Sequence, residues 1–184
     1  YSRFMDMSVF KYDLNTSLNI LYYEQKLKRI HVASSTMNQD AWFDWEKDHL
    51  TLDLDTGFDL ESLSLAHNHQ YGLTRFAYIV KESNSSNNDG GVYYVSKGSE
   101  GLKPERIINT DGDEKSIVLK LDSNNVPSVI WRSGKDIVYA TRVLISGKFT
   151  WSTKVLPLDP KPNLISSLDL AFDAYNSPKI TFTT

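Results

Sequence analysis

Residues 116–156 read SIVLKLDSNNVPSVIWRSGKDIVYATRVLISGKFTWSTKVL, and this stretch decides the fold. It contains four runs in which apolar and polar residues alternate, and short segments rich in Asp, Asn, Ser and Gly separate the runs. Alternation over a few residues, bounded by turn residues, is typical of antiparallel strands. The four predicted strands are residues 116–121, 128–132, 136–143 and 149–156. The stretch therefore predicts one four-stranded antiparallel sheet.

The first half of this unit recurs four times along the chain. The segments MSVFKYD, SLSLAHN, SIVLKLD and SLDLAFD begin at Met7, Ser62, Ser116 and Ser167. Each segment ends in Asp or Asn, and a second run that ends on an aromatic residue follows it. These aromatic residues are Tyr22, Tyr78, Trp131 and Phe182. A repeat of about 50 residues built from short strands is typical of β-propeller blades. The sequence predicts one all-β region over residues 1–184, with about three and a half blades starting near residues 7, 62, 116 and 167.

The third and fourth repeats also share their first turn, which reads Asn125-Val-Pro127 in one and Asn176-Ser-Pro178 in the other. Asn tolerates a left-handed backbone and Pro fixes φ, so we expect the same turn twice. The full pattern, S-L-x-L-x-x-D-x-x-N-x-P-x-I-x-aromatic, resembles repeats of bacterial β-propeller proteins. Many such proteins are exported or surface-associated. They bind proteins, glycans or metals, or act as glycosidases, so the resemblance implies no single activity.

Composition narrows the function classes. With 184 residues, 40% hydrophobic and 12% aromatic, the chain suits one strand-rich folded domain. Its net charge of −3 argues against nucleic-acid binding, which needs a concentrated positive field. The chain contains no cysteine and no long apolar run, so the sequence predicts neither disulfides nor a membrane-spanning segment. An extracellular, periplasmic or cell-surface location is the expectation that accompanies the resemblance.

The fourth repeat supplies only two predicted strands, so the last blade is incomplete. In a propeller each blade covers the apolar face of the next, and three and a half blades would leave two such faces bare. The second strand of the fourth repeat would also have an open edge. We therefore expect further polypeptide, either a continuation or a second chain, to complete the propeller by pairing with residues 179–184.

Acidic residues concentrate in the predicted connections between blades, at residues 48–61 and 107–115. Four of them are the candidate ligand-binding residues: Asp53, Asp55, Asp111 and Asp113. Ca²⁺ needs five to seven oxygens with a bidentate Glu at a fixed spacing, and residues 109–114 lack that Glu. A plain Asp-Gly turn explains this segment better, so we expect no cofactor, with Ca²⁺ as the minor alternative.

Two other groups are open to two interpretations. Trp42 and Trp45, in the predicted outer strand of the first repeat, could stack on a sugar or fill a partner's pocket, or they could pack against the next blade. Trp151 at the equivalent place in the third repeat favours packing. His67 and His69 would share a face of a strand, but two imidazoles without a third donor are a poor metal site.

These observations favour a binding or scaffolding protein with a protein or glycan ligand. The alternative is a glycoside hydrolase or lyase whose active site lies at the acidic rim of the propeller channel. A glycosidase needs two carboxylates facing each other across the sugar, and the sequence singles out no such pair. The prediction therefore leans away from an enzyme.

Overall fold

A computed structural model describes residues 2–12, 15–37, 43–45, 50–68, 73–82, 90–98, 101–110 and 112–184. Every regular element in this part of the chain is a β-strand, which confirms the all-β prediction. It contains no helix that is long and apolar enough to cross a membrane.

The strands form four antiparallel sheets in chain order. Sheet 1 contains β1 (Ser2–Tyr12), β2 (Asn15–Glu24), β3 (Arg29–Met37), β4 (Phe43–Trp45) and β5 (Leu50–Asp53). Sheet 2 contains β6 (Phe58–Asn68), β7 (Leu73–Glu82), β8 (Gly91–Gly98) and β9 (Gly101–Asn109). Sheet 3 contains β10 (Glu114–Leu121), β11 (Pro127–Ser133), β12 (Asp136–Ile145) and β13 (Lys148–Val155). Sheet 4 contains only β14 (Ser167–Phe172) and β15 (Pro178–Thr183).

Sheet 3 matches the predicted blade strand for strand, whereas the outer strand of sheet 1 does not match its prediction. Both β4 and β5 pair with β3, so the outer strand has two pieces. The prediction had placed residues 50–53 in a connection, and it was wrong there because Leu50–Asp53 continues the ladder. Among the described residues the four sheets do not close into a ring.

The turns before β11 and β15 are the same structure. In the first, the Asp122 side chain accepts hydrogen bonds from the amides two and four residues later, at 2.9 and 2.8 Å. In the second, the Asp173 side chain accepts the two corresponding bonds, both at 2.9 Å. Asn125 and Asn176 adopt left-handed φ angles of 63° and 60°. The predicted equivalence of the two turns is confirmed, and its cause is local side-chain chemistry.

The first hairpin turns differently. Tyr12 pairs with Asn15, which leaves a two-residue connection between β1 and β2. As a result Met5 lies opposite Tyr22, as Leu63 lies opposite Tyr78 in sheet 2. The sequence repeat had aligned Met7 with Ser62, so the predicted register of the first repeat was wrong by three residues. The shorter connection is the physical reason.

The sheets stack face to face, and three buried clusters fill the spaces between them. Because successive strand residues point to opposite faces, Val129 belongs to the cluster between sheets 2 and 3 while Ile130 belongs to the cluster between sheets 3 and 4. The three repeat-equivalent leucines, Leu65, Leu119 and Leu170, are 7%, 0% and 1% exposed.

The face that sheet 4 turns away from sheet 3 is polar. Its side chains are all exposed, and they are Ser167, Asp169, Ala171, Lys179, Thr181 and Thr183. The expectation of a bare apolar face at this end is therefore wrong. Leu168, Leu170 and Ile180 point to the opposite face, toward sheet 3.

Side-chain hydroxyls join the first strands of sheets 2 and 3. The amides of Ile117 and Leu119 donate to the Oγ atoms of Ser62 and Ser64, each at 3.1 Å. A step of two residues along β6 thus matches a step of two along β10, so the two strands run side by side in the same direction.

A hydrogen bond of the same kind, from a backbone amide to a side chain of the preceding sheet, joins sheets 1 and 2, whereas the corresponding amide of sheet 4 bonds within its own strand. The Leu65 amide donates to Oδ2 of Asp6 at 2.7 Å, which joins β1 to β6. In sheet 3 the position equivalent to Ser64 is Val118, which has no acceptor. The Leu170 amide donates instead to Oδ1 of the adjacent Asp169, at 2.9 Å.

Candidate functional site

A cleft of about 490 Å³ opens between sheets 2 and 3. The end of β9 forms one wall, and the face of sheet 3 from β10 to its outer strand, β13, forms the other. The lining residues are Ile108, Asn109, Thr110, Glu114, Trp131, Ser133, Val138, Thr153, Lys154 and Val155. The cleft thus combines apolar and aromatic surface with a few polar groups, which is the usual character of a binding site.

Glu114 is the buried carboxylate of this cleft, with 6% of its surface exposed. Its Oε2 accepts a hydrogen bond from the Gly112 amide at 3.2 Å, and its Oε1 accepts one from Ser133 Oγ at 3.4 Å. Gly112 has a φ of 98°, which favours glycine because a side chain would be strained there. Glu114 therefore ties the connection before β10 to the hairpin between β11 and β12.

An exposed apolar ridge lies beyond the cleft. β11 pairs with β12 only up to Thr141, so the outer parts of β12 and β13 form a projecting hairpin. Leu144, Ile145 and Phe149 on this hairpin are 62%, 58% and 62% exposed. Large apolar side chains exposed together in this way mark interaction surfaces.

Arg142 stabilises the base of the ridge. Its guanidinium carbon lies 5.8 Å from the centre of the Tyr94 ring and 4.8 Å from that of Phe149, within cation–π range of both. Its Nη2 also lies 3.1 Å from Oε2 of Glu105 in β9. The ridge is thus anchored to sheet 2, and its apolar tip is held in a fixed position.

The acidic residues in and around the connection between β5 and β6 contact neighbouring groups of the same chain. Asp53 lies in β5, and its carboxylate pairs with Nε of Arg29, which raises the pKa of Arg29. Asp55 lies in the following turn, where its Oδ1 accepts a hydrogen bond from the Gly57 amide at 3.1 Å. Asp59 forms an ion pair with Lys28, and the hydrogen bond between them raises the pKa of the lysine. The carboxylates of Asp53 and Asp59 are therefore partly neutralised by adjacent cations.

The three predicted acidic site residues that the structure describes lie in different elements. Asp53 lies in β5 of sheet 1 and Asp55 in the turn that follows it, whereas Asp113 lies in the connection before β10, where its backbone oxygen accepts a hydrogen bond from the Gly134 amide at 3.3 Å. Asp111 and Trp42 lie outside the described residues, and for Trp45 only the backbone pairing with Ser35 is described. Among the described residues no three His, Asp or Glu side chains form a group that could hold a metal ion.

Two further interpretations can be compared with the structure. Trp151 packs edge-on against Tyr94 with the ring centres 5.3 Å apart, so the packing interpretation is confirmed for this residue. The side chain of His67 and the whole of His69 lie outside what the structure describes.

Sequence reasoning missed Glu114 and Trp131 as cleft residues. Trp131 carried a signal, because it is the repeated aromatic residue at the end of the second strand. Glu114 carried none, since its burial depends on the contact with Ser133 from another strand.

No protein-family model matches this sequence, and comparison with curated proteins likewise finds no match.

Proposed function

We propose that this chain is the blade region of a β-propeller that binds or scaffolds a protein or glycan partner in an exported or surface-associated bacterial protein. Its propeller architecture is supported by the repeated stacking of sheets and by the parallel first strands. The location is supported by the sequence resemblance alone. The observation that carries the binding function is the cleft between sheets 2 and 3 beside the exposed ridge of Leu144, Ile145 and Phe149.

Binding and catalysis are separated by one parallel measurement. The purified chain is applied to a glycan array and to a library of displayed peptides, and it is also incubated with a panel of polysaccharides. Saturable binding without new reducing ends supports a binding module. Release of reducing ends would overturn this proposal.

The alternative, a glycoside hydrolase or lyase, gains one specific observation. Glu114 is a buried carboxylate in a cleft lined by the aromatic Trp131, and the general acid of a glycosidase is a carboxyl group beside the sugar. It is the only carboxylate among the described residues that line the cleft, whereas hydrolysis canonically uses two. If polysaccharide cleavage occurs, Glu114→Gln should abolish it, since the amide cannot donate a catalytic proton.

We further propose that additional polypeptide completes sheet 4. Within the part of the chain that the structure describes, β15 pairs only with β14, whereas its counterparts β7 and β11 have a strand on each side. The outer face of sheet 4 is polar, so the proposal does not rest on burial of an apolar surface. It rests on the unpaired backbone groups at the open edge of β15.

The proposal that further polypeptide completes sheet 4 can be tested by attaching copies of β12 and β13, whose equivalents sheet 4 lacks. Phe182 corresponds to Trp131, so a copy of residues 134–156 attached after Thr184 would enter in the register of sheet 3. The extended chain should melt at a higher temperature than the original chain. A copy with the same composition in scrambled order is the control, and equal melting of both extended chains would overturn the proposal.

A further inference from the structure

The outer edge of sheet 3 carries a regular row of backbone groups directed away from the sheet. The Leu156 amide donates to the Ile137 carbonyl at 2.8 Å, so the backbone of Leu156 faces β12. Alternate residues of an antiparallel strand face the same way. The N–H and C=O groups of Phe149, Trp151, Thr153 and Val155 therefore point to the free edge of β13.

This edge lacks the protection that the outer strands of sheets 1 and 2 have. In sheet 1 the outer strand is split into β4 and β5. In sheet 2, β9 carries Pro104 and has a register shift opposite Val92 and Tyr93. β13 has eight residues, no proline and an unbroken register with β12. Natural proteins blunt exposed edges by such interruptions, so an uninterrupted edge is suited to accept another strand.

The two faces of β13 specify the chemistry of that strand. The side chains of Thr153 and Val155 line the cleft, on the same face as the exposed Phe149. Lys154 borders the cleft, but because it alternates with Thr153 and Val155 its side chain, like that of Lys148, points to the opposite face. Both lysines are exposed. An added strand would thus meet apolar surface on one side and two positive charges on the other.

Charge complementarity selects between the possible occupants. In an antiparallel pairing of β13 with a second copy centred on Trp151, Lys148 of each copy would lie directly opposite Lys154 of the other. Like charges close together across strands are destabilising, whereas opposite charges stabilise the pairing. The edge therefore favours a foreign strand with acidic residues over self-association.

We propose, resting on the binding function above, that β13 binds an extended acidic peptide as a fifth strand of sheet 3. The peptide pairs antiparallel with β13, places alternate apolar side chains over the cleft and the Phe149 ring, and sets carboxylates opposite Lys148 and Lys154. Main-chain hydrogen bonds to Phe149, Trp151 and Thr153 supply affinity, while the cleft and the two lysines supply specificity.

The probe is the peptide Glu-Val-Thr-Val-Thr-Val-Glu, N-methylated at both threonines to prevent its own aggregation. In the proposed register the valine amides face β13 and the threonine amides face solvent. Saturable binding by fluorescence anisotropy is expected. A second peptide, N-methylated at the three valines instead, should bind at least about tenfold more weakly because it cannot donate to the edge. Equal binding of the two peptides, or binding of neither, overturns the proposal.

Variants of the chain localise the contact. Thr153→Pro removes an amide that the fold does not use and should weaken binding at least about tenfold, with Thr153→Val as the matched control. The double substitution Lys148→Glu and Lys154→Glu should weaken binding of the acidic probe about fivefold or more. It should strengthen binding of a probe that has lysine in place of glutamate at both ends. If that charge exchange has no effect, the proposed register is wrong. Should Thr153→Pro fail to fold, the two methylated peptides still decide the question.

Two controls keep this inference separate from the broader function. A dimer in light scattering that Thr153→Pro dissociates would replace the peptide by a second copy and overturn the proposal. Suppose that the parent chain and the Thr153→Pro variant bind a ligand from the glycan array equally well, and that the parent does not bind the probe peptide. The proposed binding function is then supported, and only the inference about β13 is overturned.

Discussion

The interface between sheets 2 and 3 and the interface between sheets 3 and 4 both bury an apolar cluster, but different elements of the chain cover that cluster. Between sheets 2 and 3, the strands of one sheet pack against the strands of the other. The hydroxyls of Ser62 and Ser64 also accept hydrogen bonds from backbone amides of sheet 3. Between sheets 3 and 4, only two strands are available. The connection after β13 supplies Leu156, Leu158 and Ile165 to the cluster, and Arg132 donates to the Ile165 carbonyl at 2.7 Å.

The difference shows that repeated sequence does not guarantee a repeated interface. Leu119 and Leu170 are equivalent and equally buried, yet the amide of one bonds to the neighbouring sheet and that of the other bonds within its own strand. Sheet 4 is thus attached to sheet 3 by apolar packing and its connection, with fewer polar links. Six substitutions and one surface control test this contrast.

Leu119→Ala should have the largest effect and cost about 2–5 kcal/mol, because it leaves a cavity between two full sheets. Leu170→Ala should lie at the lower end of this range, since sheet 4 can relax against its connection. Urea unfolding measures both, and the exposed Leu144→Ala is the control, expected within about 0.5 kcal/mol of the parent. Equal losses for both buried leucines would remove the distinction between the interfaces.

Ser64→Ala should cost about 1–3 kcal/mol, because the buried Leu119 amide loses its acceptor. The reciprocal change, Val118→Ser, offers the Leu170 amide an acceptor while burying less apolar surface. The two effects oppose each other, so its net change should stay below about 1 kcal/mol. If Ser64→Ala is as mild as Val118→Ser in urea unfolding, the hydroxyl links do not distinguish the interfaces.

Tyr94→Phe should alter stability at alkaline pH. Burial between sheets 2 and 3 is the main cause that raises the pKa of Tyr94 above its ordinary value of 10.0. The folded state therefore favours the protonated phenol. Its contribution is intact below about pH 10 and is lost as the pH rises toward the higher folded value. Melting temperatures between about pH 8 and 11.5 should fall more steeply for the parent than for Tyr94→Phe, and parallel curves would contradict this.

Asp173→Asn should have the smallest effect, at the turn of sheet 4. The Ser177 amide is the main cause that lowers the pKa of Asp173 below 3.8, and the Tyr175 amide and Lys179 add to it. The charged form is thus stabilised by folding, and this contribution is present above pH 3.8 and lost as the pH falls through the lower folded value. Asn keeps an acceptor oxygen without the charge. The difference in melting temperature should therefore be seen at about pH 6 and should shrink below about pH 3, and a constant difference would contradict the assignment.

The two acidic connections, at residues 48–61 and 107–115, show where sequence reasoning stopped. Asp53 was read as a loop residue because acids cluster around it, but Leu50 and Leu52 beside it pair with β3. Glu114 was counted only among the acids of the connection at residues 107–115, yet it is the buried carboxylate of the cleft. In both cases the deciding contact comes from a residue distant in sequence, which no local pattern records.

The sequence by itself determined what depends on neighbouring residues. Alternation predicted the strands of sheet 3, and the Asp, left-handed Asn and Pro of each turn predicted the paired turns at Asp122 and Asp173. Tertiary structure alone decided the shifted register of β1, the polar outer face of sheet 4 and the cleft beside β13. A turn is stabilised by bonds within a few residues, whereas register, exposure and clefts depend on which surfaces meet after the sheets have stacked.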